Sequence, residues 1–435
     1  MRNETEPLRQ GDVVEVGIEK GVYRGRGLAR VGGQVLFVPR AHAGDRVRAR
    51  VSEVHAGWAE AALEEVLEGG AGRRASPCPY VPRCGGCVYQ DLGYEAQLDA
   101  KEAILRESLA RAGAPWDGKV ERHASPEEGW RLRAGLHFAV RDGSLAMGLR
   151  QEGTRQVVDV DHCLQLSPAL NVAARGVRDA LVRRADLWPR LRGLDLLEST
   201  DGTRRLASLV TTLRPHEGPR LAALAEEAPG IDGFGVETTD RRLHWLSGPA
   251  HVEMSVRGQK LRVHARSFFQ SNRHLVEPLV STVLDLLPEV PRSLDLFGGV
   301  GLFALPLAAR GGGEVVTVEQ SSHAAADARE NARMNGQVAV RVRCEDVGAA
   351  LRHLAADGGE AIVVDPPRTG LGRDVVDLLV ARRPAAIAYV SCDPATLGRD
   401  LARFAERGLR PDAVHLFDLF PDTLHLETVL RLRPR

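Results

Sequence analysis

From about residue 263 to the C-terminus, short apolar runs alternate with helical stretches. Few architectures accept that pattern other than a parallel α/β sheet covered by helices on both faces. The runs are SLDLF, GEVVTVE, VAVRVRCED, AIVVDPP and AIAYVSC, and segments such as HAAADARENARMN separate them. A run that is apolar at successive positions has no face for water and belongs inside a sheet. The rest of the chain obeys other rules. At 435 residues it is too long for one ordinary core, and its 43% hydrophobic content suffices for two or three.

Residues 8–68 alternate instead. In GDVVEVGIE, Val14, Val16 and Ile18 fall on one side and Glu15 and Glu19 on the other; DRVRARV sets Val47, Ala49 and Val51 against Arg46, Arg48 and Arg50. Gly25, Gly27, Gly32, Gly33 and Gly44 punctuate these short strands as turns. Such a pattern predicts an oligonucleotide-binding-type β-barrel. The whole chain is neutral, with 58 basic and 58 acidic residues. Residues 20–50, however, hold eight basic side chains (Lys20, Arg24, Arg26, Arg30, Arg40, Arg46, Arg48, Arg50) against one acidic, Asp45. That excess reads as a footprint for phosphates, with a solvated face as the plain alternative.

The Gly-rich stretch EGGAGRRASP ends the barrel, and residues 69–262 come next as a mixed α+β unit with weak periodicity. Residues 92–112 read as a helix with Tyr94, Leu98, Leu105 and Leu109 on one stripe. The N-terminus, MRNETEPLRQ, has no apolar signal core, and no run of 18 apolar residues occurs. A cytoplasmic location is expected, where six cysteines do not form disulfides. Four of them cluster in a spacing that metals use. Four thiolates fit zinc or an iron–sulfur cluster, and spacing does not choose between them.

Residues 263–435 carry the chemistry. Asp295-Leu-Phe-Gly298-Gly299-Val-Gly301 ends the first strand, where glycines let backbone approach a ligand. Glu319 ends the next strand, twenty residues after Gly299, at the place where an acid accepts hydrogen bonds from ribose hydroxyls. No G-x-G-x-x-G is present, which favours S-adenosylmethionine over a dinucleotide. Asp346, after the third strand, suits either an adenine edge or a helix N-cap.

Asp365-Pro-Pro-Arg368 follows the fourth strand, so its carboxylate lies in the crevice at the strand ends. Arg368 stands where many amino-group methyltransferases place an aromatic residue, which counts against exocyclic-amine methylation. Cys392 follows the fifth strand and opens a helix, a position that lowers a thiol's pKa. A thiolate has a use here. Added to carbon 6 of uracil, it makes carbon 5 an enolate carbon able to take a methyl group. A base must then remove the carbon-5 proton, and Glu427 in His425-Leu-Glu-Thr is the candidate, against the plain reading of an exposed strand glutamate.

Together, G-x-G-x-A-R (Gly25 to Arg30), GDRV, Cys78-x5-Cys84-Gly-Gly-Cys87-x-x-Gln90, Phe268-Phe-Gln-Ser-Asn272, DLFGGVG, DPPRTG, YVSCDPATLGRDL and FPDTLHLETV resemble the RNA 5-methyluridine methyltransferases. The resemblance is to their branch with a TRAM barrel and an iron–sulfur cluster, which includes the large-subunit (23S) ribosomal RNA uracil-C5 enzymes. It covers nearly the whole chain. It implies a TRAM barrel over 8–68, a central iron–sulfur RNA-binding domain over 69–262, and a Rossmann-like class I methyltransferase over 263–435. The helix around 92–118 would pack on the catalytic domain. It further implies Cys392 as nucleophile and Glu427 as base. Cofactor contacts would come from Gln270, Phe297, Gly299, Glu319, Asp346 and Asp365. A [4Fe-4S] cluster would be held by Cys78, Cys84, Cys87 and Cys163. RNA would be the partner of a monomer, with no membrane involved. The chain departs from the family at Gly298, Leu302 and Trp130-Arg-Leu-Arg133. Competing readings are the same chemistry on transfer RNA, a non-catalytic RNA-binding or assembly factor, and an amino-group methyltransferase.

Overall fold

The computed structural model describes residues 7–214, 217, 219–238, 242–311 and 313–434. The first six residues of the polar N-terminal stretch lie outside them. Among the described residues no helix is long and apolar enough to cross a membrane.

Six strands form a curled N-terminal sheet in the order Val13–Gly17, Arg46–His55, Trp58–Glu68, Gln34–Pro39, Arg26–Val31, Lys20–Val22. The two-residue period decides which side chains enter it. Val14, Val16, Val47, Ala49 and Val51 are buried in its core with Leu36, Val38 and Ala59. Register shifts after Arg46, Arg48 and Val51 mark bulges that bend the longest hairpin round this core.

The arginine face is not the unpaired positive field that the sequence suggested. Carboxylates from outside the 20–50 window meet it: Arg26–Glu60 at 2.7 Å, Arg46–Glu68 at 2.8 Å, Arg48–Glu15 at 2.9 Å and Arg50–Glu64 at 2.6 Å. Arg30 pairs with Glu19, Lys20 with Glu107 and Arg40 with Glu152. Exposed pairs contribute little stability, but together they cancel the charge. Asp45 is buried and fastens the barrel to the segment after it, accepting from the Gly70 amide at 2.9 Å and from the Arg73 guanidinium.

The central unit is a seven-stranded sheet, running from Val157–Asp159 at one edge through Arg133–Arg141 and Leu191–Glu198 to Leu243–Ser247 at the other. Helices Pro168–Val182 and Pro219–Glu227 pack with it through Leu170, Val177, Leu221 and Leu224. Trp130 and Leu132 are buried, so the Trp130–Arg133 departure lies in the interior rather than on an RNA-facing surface.

The catalytic sheet has eight strands in the order Val340–Arg343, Glu314–Val318, Arg292–Leu296, Ala361–Val364, Ala386–Ser391, Glu427–Pro434, Leu409–Phe417, Glu121–His123. The first five are parallel, and Glu427–Pro434 inserts antiparallel. Alternate residues of one strand enter different cores. Ile362, Val364, Ile387 and Tyr389 lie on one face, and Ala361, Val363, Ala388 and Val390 on the other. This is why the runs are continuously apolar.

Two pieces of earlier chain complete this body. Helix Tyr94–Arg111 packs into it through Ile104, Leu105 and Leu109, and strand Glu121–His123 pairs in parallel with Leu409–Phe417. The boundary drawn at 262/263 runs through the hairpin His251–Val256/Gln259–His264, whose Val252, Met254, Leu261 and Val263 lie in the catalytic core. Helix Tyr94–Arg111 is held by a buried ion pair, Lys101–Asp418 at 2.6 Å, with both side chains 0% exposed. Lys101 also donates to the Phe420 carbonyl at 3.0 Å. We expect Lys101→Ala to destabilise the protein by ~3–5 kcal/mol because it strands Asp418. Denaturant unfolding of Lys101→Ala alongside Lys101→Met/Asp418→Leu checks this; the double variant should recover most of the loss.

Candidate active site

The C-terminal ends of the parallel strands converge on a floor of carboxyl groups. Asp295 is fully buried, and its Oδ2 accepts from the Ala304 amide at 3.0 Å and the Thr317 hydroxyl at 3.3 Å. A Cβ on residue 298 would lie 2.0 Å from Thr317 Oγ1 and 2.7 Å from Asp295 Oδ2, so this loop requires Gly298. Phe297, the residue before it, is held at φ 63°, a conformation that side chains disfavour. Glu319 braces the loop by accepting from the Gly299 amide at 3.0 Å. Gln270 donates to Asp365 at 3.4 Å.

Burial pushes Asp295 up to about 7, with Glu319 adding to the effect. Asp365 is also pushed up to about 7, by burial and by Asp295. A crowded set of carboxyls at this edge suits a cationic ligand. Asp346 takes the cap role: its Oδ1 accepts from the Ala349 amide at 2.9 Å at the start of helix Val347–His353. Leu302 is buried.

Cys392 is half-buried at the end of its strand. Asp393 caps the next helix, Pro394–Glu406, accepting from the Ala395 and Thr396 amides at 3.0 Å each. The thiol is not lowered by this helix, contrary to expectation. Burial pushes Cys392 up to about 12, and the carboxyls of Glu427 and Asp365 add to the rise against an opposing Arg368. Desolvation and two acids outweigh one helix end. Glu427 is not an exposed strand glutamate either. It is 2% exposed and opens its strand, with Oε1 lacking a hydrogen-bond partner. Burial and Asp365 hold it well above the usual carboxylate range. His425, beside it, is held down to about 4 by burial and Arg368, and is neutral.

Cys78, Cys84, Cys87 and Cys163 line one cavity together with Gln90, Arg131 and Gln165. Burial raises Cys84, Cys87 and Cys163, and each feels further cysteines of the set. The Arg131 guanidinium meets no carboxylate there; its Nε is buried and unpartnered, and the charges that favour it come from Cys163, Cys87 and Cys84. Among the described residues, no group of three or more His, Cys, Asp or Glu side chains is arranged to hold a metal ion.

Reasoning from sequence missed several residues that build this region. Tyr23, from the barrel, donates from its hydroxyl to Asp393 at 2.6 Å. Asp422, within FPDTLHLETV, gathers Gln90, Gln97 and Gln165 at 2.9 Å each. Gln90 enters the sequence pattern only through its spacing from Cys87. Asp295 carried a signal, a lone acid inside an apolar strand.

Comparison with known proteins fits this geometry. A family profile described as tRNA (Uracil-5-)-methyltransferase matches residues 93–435, and a TRAM domain profile matches residues 7–63. A Halomonas elongata protein named 23S rRNA (uracil(1939)-C(5))-methyltransferase RlmD is 37% identical, over 96% of this chain and 89% of its own. Its namesake from Pseudomonas putida is 33% identical, over 98% and 95%. The crystal structure of Pyrococcus abyssi tRNA (uracil-54, C5)-methyltransferase in complex with S-adenosyl-L-homocysteine superposes with a TM-score of 0.78 at 25% identity, covering 96% of this chain and 99% of that one.

The thiol's surroundings can be checked directly. Replacing Glu427 by Gln removes the charge that this carboxyl carries once it ionises at higher pH, where it opposes thiolate formation. The pH profile of Cys392 alkylation by iodoacetamide should therefore shift to lower pH in Glu427→Gln. Superimposable profiles would mean that the carboxyl does not face the sulfur.

Proposed function

Because this chain belongs to the tRNA (uracil-5-)-methyltransferase family and opens with a TRAM domain, we propose that it methylates carbon 5 of a uridine in 23S ribosomal RNA through a covalent Cys392 adduct. One observation carries the reading. Ser391 pairs with Thr428 across adjacent antiparallel strands, which sets Cys392 at the same sheet edge as the buried Glu427.

S-adenosylmethionine is the methyl donor of this family's reaction, and bound here it supplies an electrophilic methyl group. Glu319 is suited to its ribose hydroxyls. Gln270, Asp365 and the Phe297–Gly299 loop would form the rest of its site, and Asp346 would reach the adenine edge. The crowded carboxyls favour a sulfonium over a neutral ligand.

Cys392 Sγ adds to carbon 6 of the uracil, and the displaced electron pair makes carbon 5 nucleophilic. In the free protein burial favours the thiol, so Sγ gives its proton to solvent water before it bonds to carbon 6. After methyl transfer, Glu427 takes the carbon-5 proton, and the carbon–sulfur bond breaks as the double bond re-forms. A raised carboxyl makes a stronger base once ionised. Carbon 6 is out of reach in a stacked helix, so the uridine must be unstacked or flipped, at a cost of a few kcal/mol.

The trapping experiment uses 5-fluorouridine-substituted RNA, whose adduct cannot lose its carbon-5 substituent. A denaturation-resistant protein–RNA band should form with wild type and vanish with Cys392→Ala. Glu427→Gln should accumulate adduct on unsubstituted RNA. The absence of any band with wild type, or its persistence without Cys392, would falsify the mechanism. Calorimetric binding of S-adenosylhomocysteine should survive Cys392→Ala and weaken at least tenfold in Glu319→Ala, a loss of about 1.4 kcal/mol or more.

Ribosomal RNA is preferred because two relatives at 37% and 33% identity, aligned over nearly the full chain, are named for 23S ribosomal RNA. Transfer RNA is the second reading, favoured by the Pyrococcus abyssi enzyme. Mapping 5-methyluridine in both RNAs from a deletion strain decides between them.

The four cysteines line one cavity, a donor set that suits zinc or an iron–sulfur cluster, and the family resemblance favours the cluster. The donors are all thiols, and the cavity's buried guanidinium has only thiolates to balance it. Cys78, Cys84, Cys87 and Cys163 would hold a [4Fe-4S] group, which would tie the central domain to the segment after the barrel. Anaerobically purified protein should be brown and contain iron and acid-labile sulfide; a colourless protein with one zinc would reject this part.

A further inference from the structure

Seven of the eight cations between residues 20 and 50 are matched to carboxylates. The eighth, Arg24, is exposed, and no ion pair or hydrogen bond ties it to a described residue. Its position is not arbitrary. Tyr23, Arg24 and Gly25 form the tip between strands Lys20–Val22 and Arg26–Val31. Arg24 and Gly25 both adopt positive φ, 73° and 69°. The tip is wedged against the catalytic body. The Tyr23 ring packs on its core, and the Tyr23 hydroxyl reaches Asp393, the residue after Cys392. A Cβ on Gly25 would lie 2.9 Å from Val88 and 3.5 Å from Leu424, so the tip also touches the loop that leads to Glu427.

The surroundings say what Arg24 is for. The floor of the site is lined by acids, Asp365 and Glu427, and offers a phosphate no cation. Its rim carries two exposed guanidiniums with no carboxylate partner among the described residues, Arg24 and Arg368; the latter meets the neutral His425. A nucleotide that puts its base on that floor must leave its phosphates at the rim. Phosphate contacts fix register without reading sequence, and a guanidinium fork suits them.

We propose that Arg24 holds a phosphate flanking the target uridine, and that the Tyr23–Asp393 hydrogen bond is the positioning contact that sets this arginine over Cys392. The proposal rests on the RNA-methylating reading above. The barrel then contributes to the active site one aimed cation, while its paired arginine face stays neutral.

The test uses full-length protein and 23S ribosomal RNA transcribed in vitro, with filter binding at several salt concentrations. In Arg24→Gln, the slope of log affinity against log salt should fall in magnitude by about 0.7–0.9, the share of one phosphate contact. The KM for RNA should rise several-fold, kcat should change less, and S-adenosylhomocysteine binding should not change. Arg24→Lys keeps the charge and should restore the slope. Arg50→Gln, which removes a cation already paired with Glu64, should leave it as in wild type. Tyr23→Phe should keep the slope and lower kcat/KM.

An unchanged slope in Arg24→Gln overturns the proposal, as does an equal loss in Arg50→Gln, which would restore the whole face as the footprint. Wild-type kinetics in Tyr23→Phe would remove the positioning role. If wild-type protein bound the transcript without salt dependence, the RNA reading itself would fall, an outcome distinct from either.

Discussion

Asp422 is the junction on which the arrangement depends. Its side chain accepts from Gln90 in the segment of Cys84 and Cys87, from Gln97 in helix Tyr94–Arg111, and from Gln165 two residues after Cys163. Its amide donates to Gln97 at 2.9 Å, and its carbonyl accepts from Val88 and Tyr89 at 2.8 and 2.9 Å. Three stretches of chain, at residues 88–90, 97 and 165, are thus tied to the loop that ends in Glu427. An isolated buried carboxylate is costly; three amide donors and the nearby Arg74 at 3.5 Å offset that cost here. Its φ of 63° is the kind of strained backbone that persists only where surrounding contacts determine it. The cysteine cavity and the catalytic loop therefore share one hydrogen-bonded hub.

The chemistry depends on a second constraint, the crowding of acids. Asp295, Asp365 and Glu427 are each raised by burial, and they raise one another or the Cys392 thiol. These acids and the thiol keep their protons to higher pH than free ones do. This discourages premature thiolate, which oxidises and alkylates, and leaves ionisation to the moment when ligands change the local field. The barrel reaches the same place through Tyr23, so the helix start after Cys392, the loop before Glu427 and the barrel tip form one contiguous body.

Much of the fold was legible because its period was unambiguous. The five apolar runs are strands, three of which feed two cores with alternate residues, and the alternating Val/Arg pattern of 46–51 is buried and exposed as its two-residue period requires. The arginine face misled because charge was counted along a window, whereas pairing runs across strands. Glu15, Glu64 and Glu68 lie outside that window but opposite it in the sheet. The helix over 94–111 was visible, but its burial of Gln97 and Lys101 was not, since a polar position reads as solvent-facing until its partner is known.

What the linear chain determined by itself is the type of its elements and the identity of its reactive groups. Local periodicity and the residues at strand ends are properties of neighbours. Tertiary structure decided the state of those groups. Whether Cys392 sits as thiol or thiolate depends on acids that come from other strands. Whether an arginine is free depends on the strand beside it. That strand Glu121–His123 completes the catalytic sheet depends on a partner strand nearly three hundred residues later in the chain. Each of these is set by burial and distance between segments remote in sequence, which no local pattern encodes.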